Sequence, residues 1–133
     1  MLIKWSDIHS VNVKEFDEQH KKLVEIINEF FANGPEKKEG LMLIVGKLIE
    51  YANYHLENEE AYFKKFNYED TAGHIEKHNF YRHKVLELSK KLNDTDGDVI
   101  FKELSEFLRD WWILHINKID QEYSEFFNQH GLL

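Results

Sequence analysis

The chain contains no cysteine, and that one absence removes disulfides, thiolate metal ligands and thiol nucleophiles together. Any metal it holds must be bound through imidazole and carboxylate, a donor set that favours iron, manganese or zinc. It also lacks an apolar run approaching the roughly eighteen residues of a membrane span, and its start, MLIKWSDIHS, lacks the basic-then-apolar layout of a signal peptide. No membrane insertion is expected, and a cytoplasmic location is the default. Basic residues are in deficit, 17 Lys and Arg against 25 Asp and Glu, for a formal charge of -8. With no basic stripe and no interleaved aromatics to offset that charge, nucleic acid is excluded as a partner class. No stretch alternates as a strand would, and there is no internal repeat, low-complexity tract or Pro- or Ser-rich linker.

What remains is a helical sequence of 133 residues, the size of a single domain spanning 1–133. Residues 1–15 carry Trp5, Ile8, Val11 and Val13 without a period and read as an irregular N-terminal arm packed by its aromatic. A first helix is expected over roughly 17–33, from Asp17 as N-cap to the Asn33-Gly34-Pro35 stop, with His20, Leu23, Ile27 and Phe30 on one face. A second, roughly 36–66, carries the stripe Leu41, Val45, Leu48, Ala52, His55, Glu59, Tyr62 and Phe66. A third, roughly 71–93, has the cleanest period: His74, His78, Tyr81, Val85, Leu88 and Leu92. A fourth, roughly 98–116, presents Leu104, Phe107, Leu108, Trp111 and His115. Four helices on short loops are antiparallel neighbours, so the expected fold is all-α, an up-down-up-down four-helix bundle with an irregular N-terminal arm.

The chemistry concentrates in residues 54–78, where His55 and Glu59, then His74 and His78, stand four apart, so that each pair shares a helix face. Such spacings are weak signals singly, and a lone His on an apolar stripe is usually a satisfied core residue. The bundle makes them stronger jointly. Counted at 1.5 Å per residue from the far end of each helix, His20, His55, His78 and His115 stand at about 21, 28, 22 and 26 Å, within one layer. Several imidazoles and an acid in one dry layer leave unpaired groups costing about 1–3 kcal/mol each unless a metal or matched hydrogen bonds absorb them. His9, His83 and His130 fall in the arm, off the face and in the tail, and are assigned to the surface. Asp120 follows His115 by five residues, about 140° round a regular α-helix. For Asp120 to join the layer, the fourth helix must end or widen near Asn117.

The order of these pieces, His20 alone, His55-x3-Glu59, His74-x3-His78, then His115-x4-Asp120, resembles the hemerythrins, and most closely the single-domain bacterial ones. The resemblance implies a non-haem di-iron centre in which one iron takes His74, His78 and His115 and the other takes His20 and His55. Glu59, Asp120 and an oxo or hydroxo group would bridge the two iron ions. O2 would bind at an open position on the second iron, for carriage, storage or delivery without turnover, with an O2-consuming protein as a conceivable recipient. Sensing of O2 or redox state through a separate partner, and peroxide or nitric oxide detoxification, are the alternatives on the same irons. Ferritin-like oxidases use a repeated Glu-x-x-His, which this chain lacks. By the same resemblance Leu23 and Trp111 would wall the O2 pocket, Trp112 would narrow gas entry, and Tyr123 would support the bridging acid.

Overall fold

The computed structural model describes residues 2–34 and 38–133. Helix α1, Lys14–Asn33, buries Phe16, His20, Leu23, Val24, Ile27 and Phe30 along one face and stops where Gly34 adopts a φ of 67° that an L side chain resists. Helix α2, Lys38–Tyr51, runs through one wide turn, Ala52–Leu56, into α3, Glu57–Phe66. The expected start of this helix at residue 36 lies outside the described residues. After Asn67, at φ 55°, comes α4, Thr71–Lys91. Helix α5, Gly97–Asp110, is capped by the Asp96 carboxylate, which accepts from the Asp98 N–H at 3.2 Å. It continues through a wide π segment, Trp111–Ile119, and a 3-10 turn, Asp120–Tyr123, into α6, Ser124–Gln129.

These pieces form four helical rods, with α1 against α2, α2 against α4 and α4 against α5. The all-α four-helix bundle expected from the apolar periods is the observed fold. No helix among the described residues is long and apolar enough to cross a membrane. The interior divides in two. A large apolar cluster joins Leu23, Ile27, Leu48, Tyr81, Leu104 and Leu108, and a smaller one joins Val11, Val13, Phe16, Phe63, Tyr123 and Phe127. Along α1 the buried polar residue His20 falls between Phe16 of the small cluster and Leu23 of the large one, and along the second rod His55 and Glu59 fall between Ala52 and Phe63. A polar layer is therefore sandwiched between two dry ones.

Several local expectations are corrected. Asp17 is not an N-cap, because α1 begins at Lys14; its carboxylate turns back to the arm and accepts from Ser10 Oγ and from the Val11 N–H at 2.8 Å. Helix α4 ends at Lys91, and the fourth rod runs well past residue 116, because the widened turn lets it continue instead of breaking. One turn after Glu59 both i+3 and i+4 fit the stripe; the structure buries Phe63 and leaves Tyr62 and Phe66 half-exposed. In the arm, Ile3, Val11 and Val13 are the buried anchors, Trp5 is half-buried, and Ile8 is 80% exposed. Asn28 pins the arm by accepting from the Ile3 N–H at 2.8 Å and donating to its carbonyl at 2.9 Å.

The Asp17 contacts tie the arm over the small apolar cluster through a charged acceptor. Asp17→Ala is expected to lower stability by about 1–3 kcal/mol, read as a shifted denaturant midpoint at unchanged slope with helical circular dichroism retained.

Candidate metal centre

Seven side chains from all four rods meet in the polar layer: His20 from α1, His55 and Glu59 from the second rod, His74 and His78 from α4, and His115 and Asp120 from the fourth. All seven are essentially excluded from solvent. Their atoms form two groups able to hold a cation, Glu59, His74, His78, His115 and Asp120 in one, and His20, His55, Glu59 and Asp120 in the other.

The two acids belong to both groups, and each divides its oxygens between them. Glu59 turns Oε1 to the Nε2 atoms of His78 (3.2 Å) and His74 (3.5 Å) and Oε2 to those of His55 (3.0 Å) and His20 (3.6 Å). Asp120 turns Oδ1 to the Nε2 atoms of His74 (2.9 Å) and His115 (3.1 Å), and Oδ2 to that of His20 (3.3 Å). All five imidazoles thus point the same ring nitrogen inward. Several of these atoms, His20 Nε2, His78 Nε2, His115 Nε2, Glu59 Oε1 and Asp120 Oδ2, are buried with no hydrogen-bond partner among the described residues. Orphaned donors of this kind in a dry layer are the signature of a cation site, and the imidazole and carboxylate set fits a divalent transition metal.

Helix widening brings His115 and Asp120 together. A π turn closes i to i+5 and holds more than four residues, so the residue five places on returns toward the same face. The segment Trp111–Ile119 supplies this turn, as the burial of Asp120 requires. Asn117 sits inside it, donating from Nδ2 to the Trp112 carbonyl at 2.6 Å and accepting from His9 Nδ1 at 2.7 Å. His9 is therefore not a free surface residue; its ring packs 4.9 Å from Trp112 and 5.7 Å from Trp5. His83 and His130 are exposed.

Behind the inner ring of donors stands an outer ring. Tyr123 donates its hydroxyl to Glu59 Oε2 at 2.7 Å, so it supports Glu59 and not Asp120. His78 Nδ1 donates to Glu60 Oε2 at 2.7 Å, which also accepts from Arg82 at 2.8 Å, and His55 Nδ1 donates to Gln19 Oε1. Such partners fix which ring nitrogen faces a metal and how strongly it donates. Neither Gln19 nor Glu60 was legible in the helical periods, because both act across helices; the sole local signal was their position next to His20 and Glu59.

Of the pocket residues, Leu23 is fully buried one turn after His20. Trp111 lies flat on His115, ring centroids 3.8 Å apart and planes 7° apart, and 6.3 Å from His78, so it covers the three-imidazole group. A groove of about 460 Å³ is lined by Phe80, Phe107 and Leu114 together with Trp111 and His115. Trp112 is buried with its ring contacts on the arm, to His9 and Trp5.

The electrostatics are those of a neutralised cluster. Burial works to lower the pKa of His20 and His74, but Asp120 and then Glu59 outweigh it and raise them to about 9 and about 10. His78 is raised by Glu59 and Glu60 against its burial, whereas burial wins at His55 and His115 and lowers them. Against burial, the imidazoles hold Glu59 and Asp120 well below the carboxylate range. Burial first raises the Tyr51 and Tyr123 phenols well above their ordinary range, with Tyr81 and then Glu59 and Asp120 adding at Tyr51, and Glu59 and Asp120 at Tyr123.

The chain as a whole is similar to several known proteins. The sequence profile of the Hemerythrin HHE cation binding domain matches residues 11–127. A bacteriohemerythrin of Clostridium acetobutylicum is 31% identical over 130 residues, covering 92% of this chain and 98% of the relative. One of Methylococcus capsulatus is 30% identical over 126 residues, covering 92% and 94%. Among solved structures, that of a hemerythrin point mutant superposes with a TM-score of 0.80 at 26% identity, covering 93% of this chain and 95% of the other.

A pH dependence follows for the metal-free protein. The raised His20 and His74 stabilise it fully below about pH 6.5, and that contribution is lost as pH rises through 9 and 10. The depressed Glu59 and Asp120 stabilise it above their ordinary values of 4.5 and 3.8, and their contribution is lost on acidification. Urea midpoints measured in chelator at constant ionic strength are expected to peak between these limits and to fall from pH 7 to 10. A midpoint rising steadily to pH 10 would contradict the network.

Proposed function

The chain belongs to the hemerythrin family, and on that premise we propose that its buried centre holds two iron ions and binds O2 reversibly, for carriage, storage or delivery. Members of the family are typically O2 binders rather than enzymes. The observation that carries the proposal is the division of Glu59 and Asp120, each giving one oxygen to the three-imidazole group and the other to the two-imidazole group. Two carboxylates shared in this way would each serve both members of a cation pair.

In this reading His74, His78 and His115 hold one iron and His20 and His55 the other. Counting the shared acids, one iron would have five protein donors and the other four, so the His20 and His55 half would have room for a further ligand. The irons supply the electrons exchanged with O2; the chain's own residues set the rest. Two iron(II) ions, two carboxylates and a hydroxide carry about one residual positive charge, because neutral imidazoles provide the other ligands. Burial of the whole layer would keep bulk water from a gas ligand, and the second rank, Tyr123 on Glu59 and Glu60 on His78, fixes donor orientation. Delivery to an O2-consuming protein is the use such a store would serve.

Purified protein is expected to contain two irons per chain, and its visible spectrum to change from argon to air and return under argon. One zinc per chain, or irreversible bleaching in air, would overturn the proposal. The outer ring is tested separately: Glu60→Ala is expected to weaken iron retention roughly 10–100-fold, measured by competition with a chelator, with Glu60→Gln intermediate because its amide still accepts from His78.

A further inference from the structure

Three tyrosines are buried around the centre, and their hydroxyls are used differently. Tyr81 donates to the Leu48 carbonyl at 2.9 Å and Tyr123 donates to Glu59 at 2.7 Å. Tyr51 is 6% exposed, and its hydroxyl has no hydrogen-bond partner among the described residues. It stands one turn before His55, at the last position of α2 before the wide turn, and its ring lies over the His55 imidazole, centroids 5.1 Å and planes 25° apart. An iron pair would account for the orphaned imidazole nitrogens and carboxylate oxygens of the centre. It does not account for a phenol O–H.

We propose that the Tyr51 hydroxyl is the hydrogen-bond donor to the small ligand taken up in the two-imidazole half of the centre, and so a ligand-selecting residue. The inference rests on the two-iron reading above. A buried donor without a partner carries its full desolvation penalty, and an incoming acceptor relieves it. Its ring on His55 sets the phenol beside the half with four protein donors, whereas Trp111 stacks on His115 of the other half. A hydrogen bond to a charged acceptor is about twice as strong as one between neutral groups. Tyr51 therefore favours ligands that carry or gain negative charge on binding, O2 and small anions among them, over neutral ligands that do not.

The test uses Tyr51→Phe, which keeps the ring on His55, beside Tyr81→Phe as a control. Azide is the probe on the ferric, iron-loaded protein, after iron per chain has been counted. Azide affinity is expected to fall about 10-fold or more in Tyr51→Phe and to stay unchanged in Tyr81→Phe. Equal azide affinity in wild type and Tyr51→Phe, both holding two irons, overturns this inference alone; a wild type without two irons overturns the two-iron reading and this inference with it. A second readout needs no metal. In chelator, Tyr51→Phe should leave the unfolding midpoint unchanged or raise it, whereas Tyr81→Phe should lower it. If Tyr51→Phe lowers the midpoint as much as Tyr81→Phe does, the hydroxyl already has a partner in the fold and the inference fails. A tyrosinate-to-iron absorption band that disappears in Tyr51→Phe also overturns it, because the oxygen would then be a ligand and not a donor.

Discussion

Five inward-facing imidazoles and two carboxylates share one layer that water does not reach, and the rest of the structure answers to the need to neutralise them. Two isolated carboxylates could not stay ionised there, since burial alone would push both toward the neutral acid. They remain ionised because each oxygen has an imidazole nitrogen close to it. In the metal-free state protons on His20 and His74 supply the compensating charge. Cations arriving at the same Nε2 atoms would take over that role and release those protons, so proton and metal compete for one arrangement of side chains.

That arrangement dictates the irregular parts of the helices. An unbroken α-helix cannot present both His115 and Asp120 to one point, and the π segment Trp111–Ile119 is the departure that allows it. A widened turn disturbs the regular hydrogen-bond ladder, and Asn117 compensates by donating to the Trp112 carbonyl. The same amide accepts from His9, so the arm is fastened to the turn that positions Asp120. His55 lies in the other wide turn, Ala52–Leu56. Both irregular turns thus fall at the polar layer, while α1 and α4, whose contributions fit a regular helix, stay undistorted.

Where a residue's role follows from its own helix, the sequence makes it legible. The stripe of His74, His78, Tyr81, Val85, Leu88 and Leu92 is buried throughout, and the height count brings His20 and His115 to the level of the central pairs. The need for the fourth helix to end or widen before Asp120 follows from an angle alone. Roles that depend on a neighbouring helix are hidden from any period. Glu60 looks like one acid among many until α4 places His78 Nδ1 against it, and Gln19 is an ordinary polar residue until His55 reaches it. Asp17 reads as a cap because caps are local, yet its partners lie in an arm whose path has no periodicity to read. Tyr51 is not singled out by the stripe of the second helix, because the isolation of a hydroxyl appears only once all its neighbours are in place.

The two halves of the centre differ in more than the number of imidazoles. On the three-imidazole side His78 is backed by a carboxylate, Glu60, itself held by Arg82, and Trp111 lies against His115. On the two-imidazole side His55 is backed by the neutral amide of Gln19, and the phenol stacked on His55, Tyr51, has its hydroxyl without a partner among the described residues. An imidazole that donates to a carboxylate is the stronger electron donor of the two. With metals bound, the half richer in ligands would also be the better supplied with electron density, and the half with fewer protein donors would keep the more electrophilic cation. If the centre holds two metals, ligand count, outer-ring charge and the unpartnered Tyr51 hydroxyl would all favour an incoming acceptor at the His20 and His55 end.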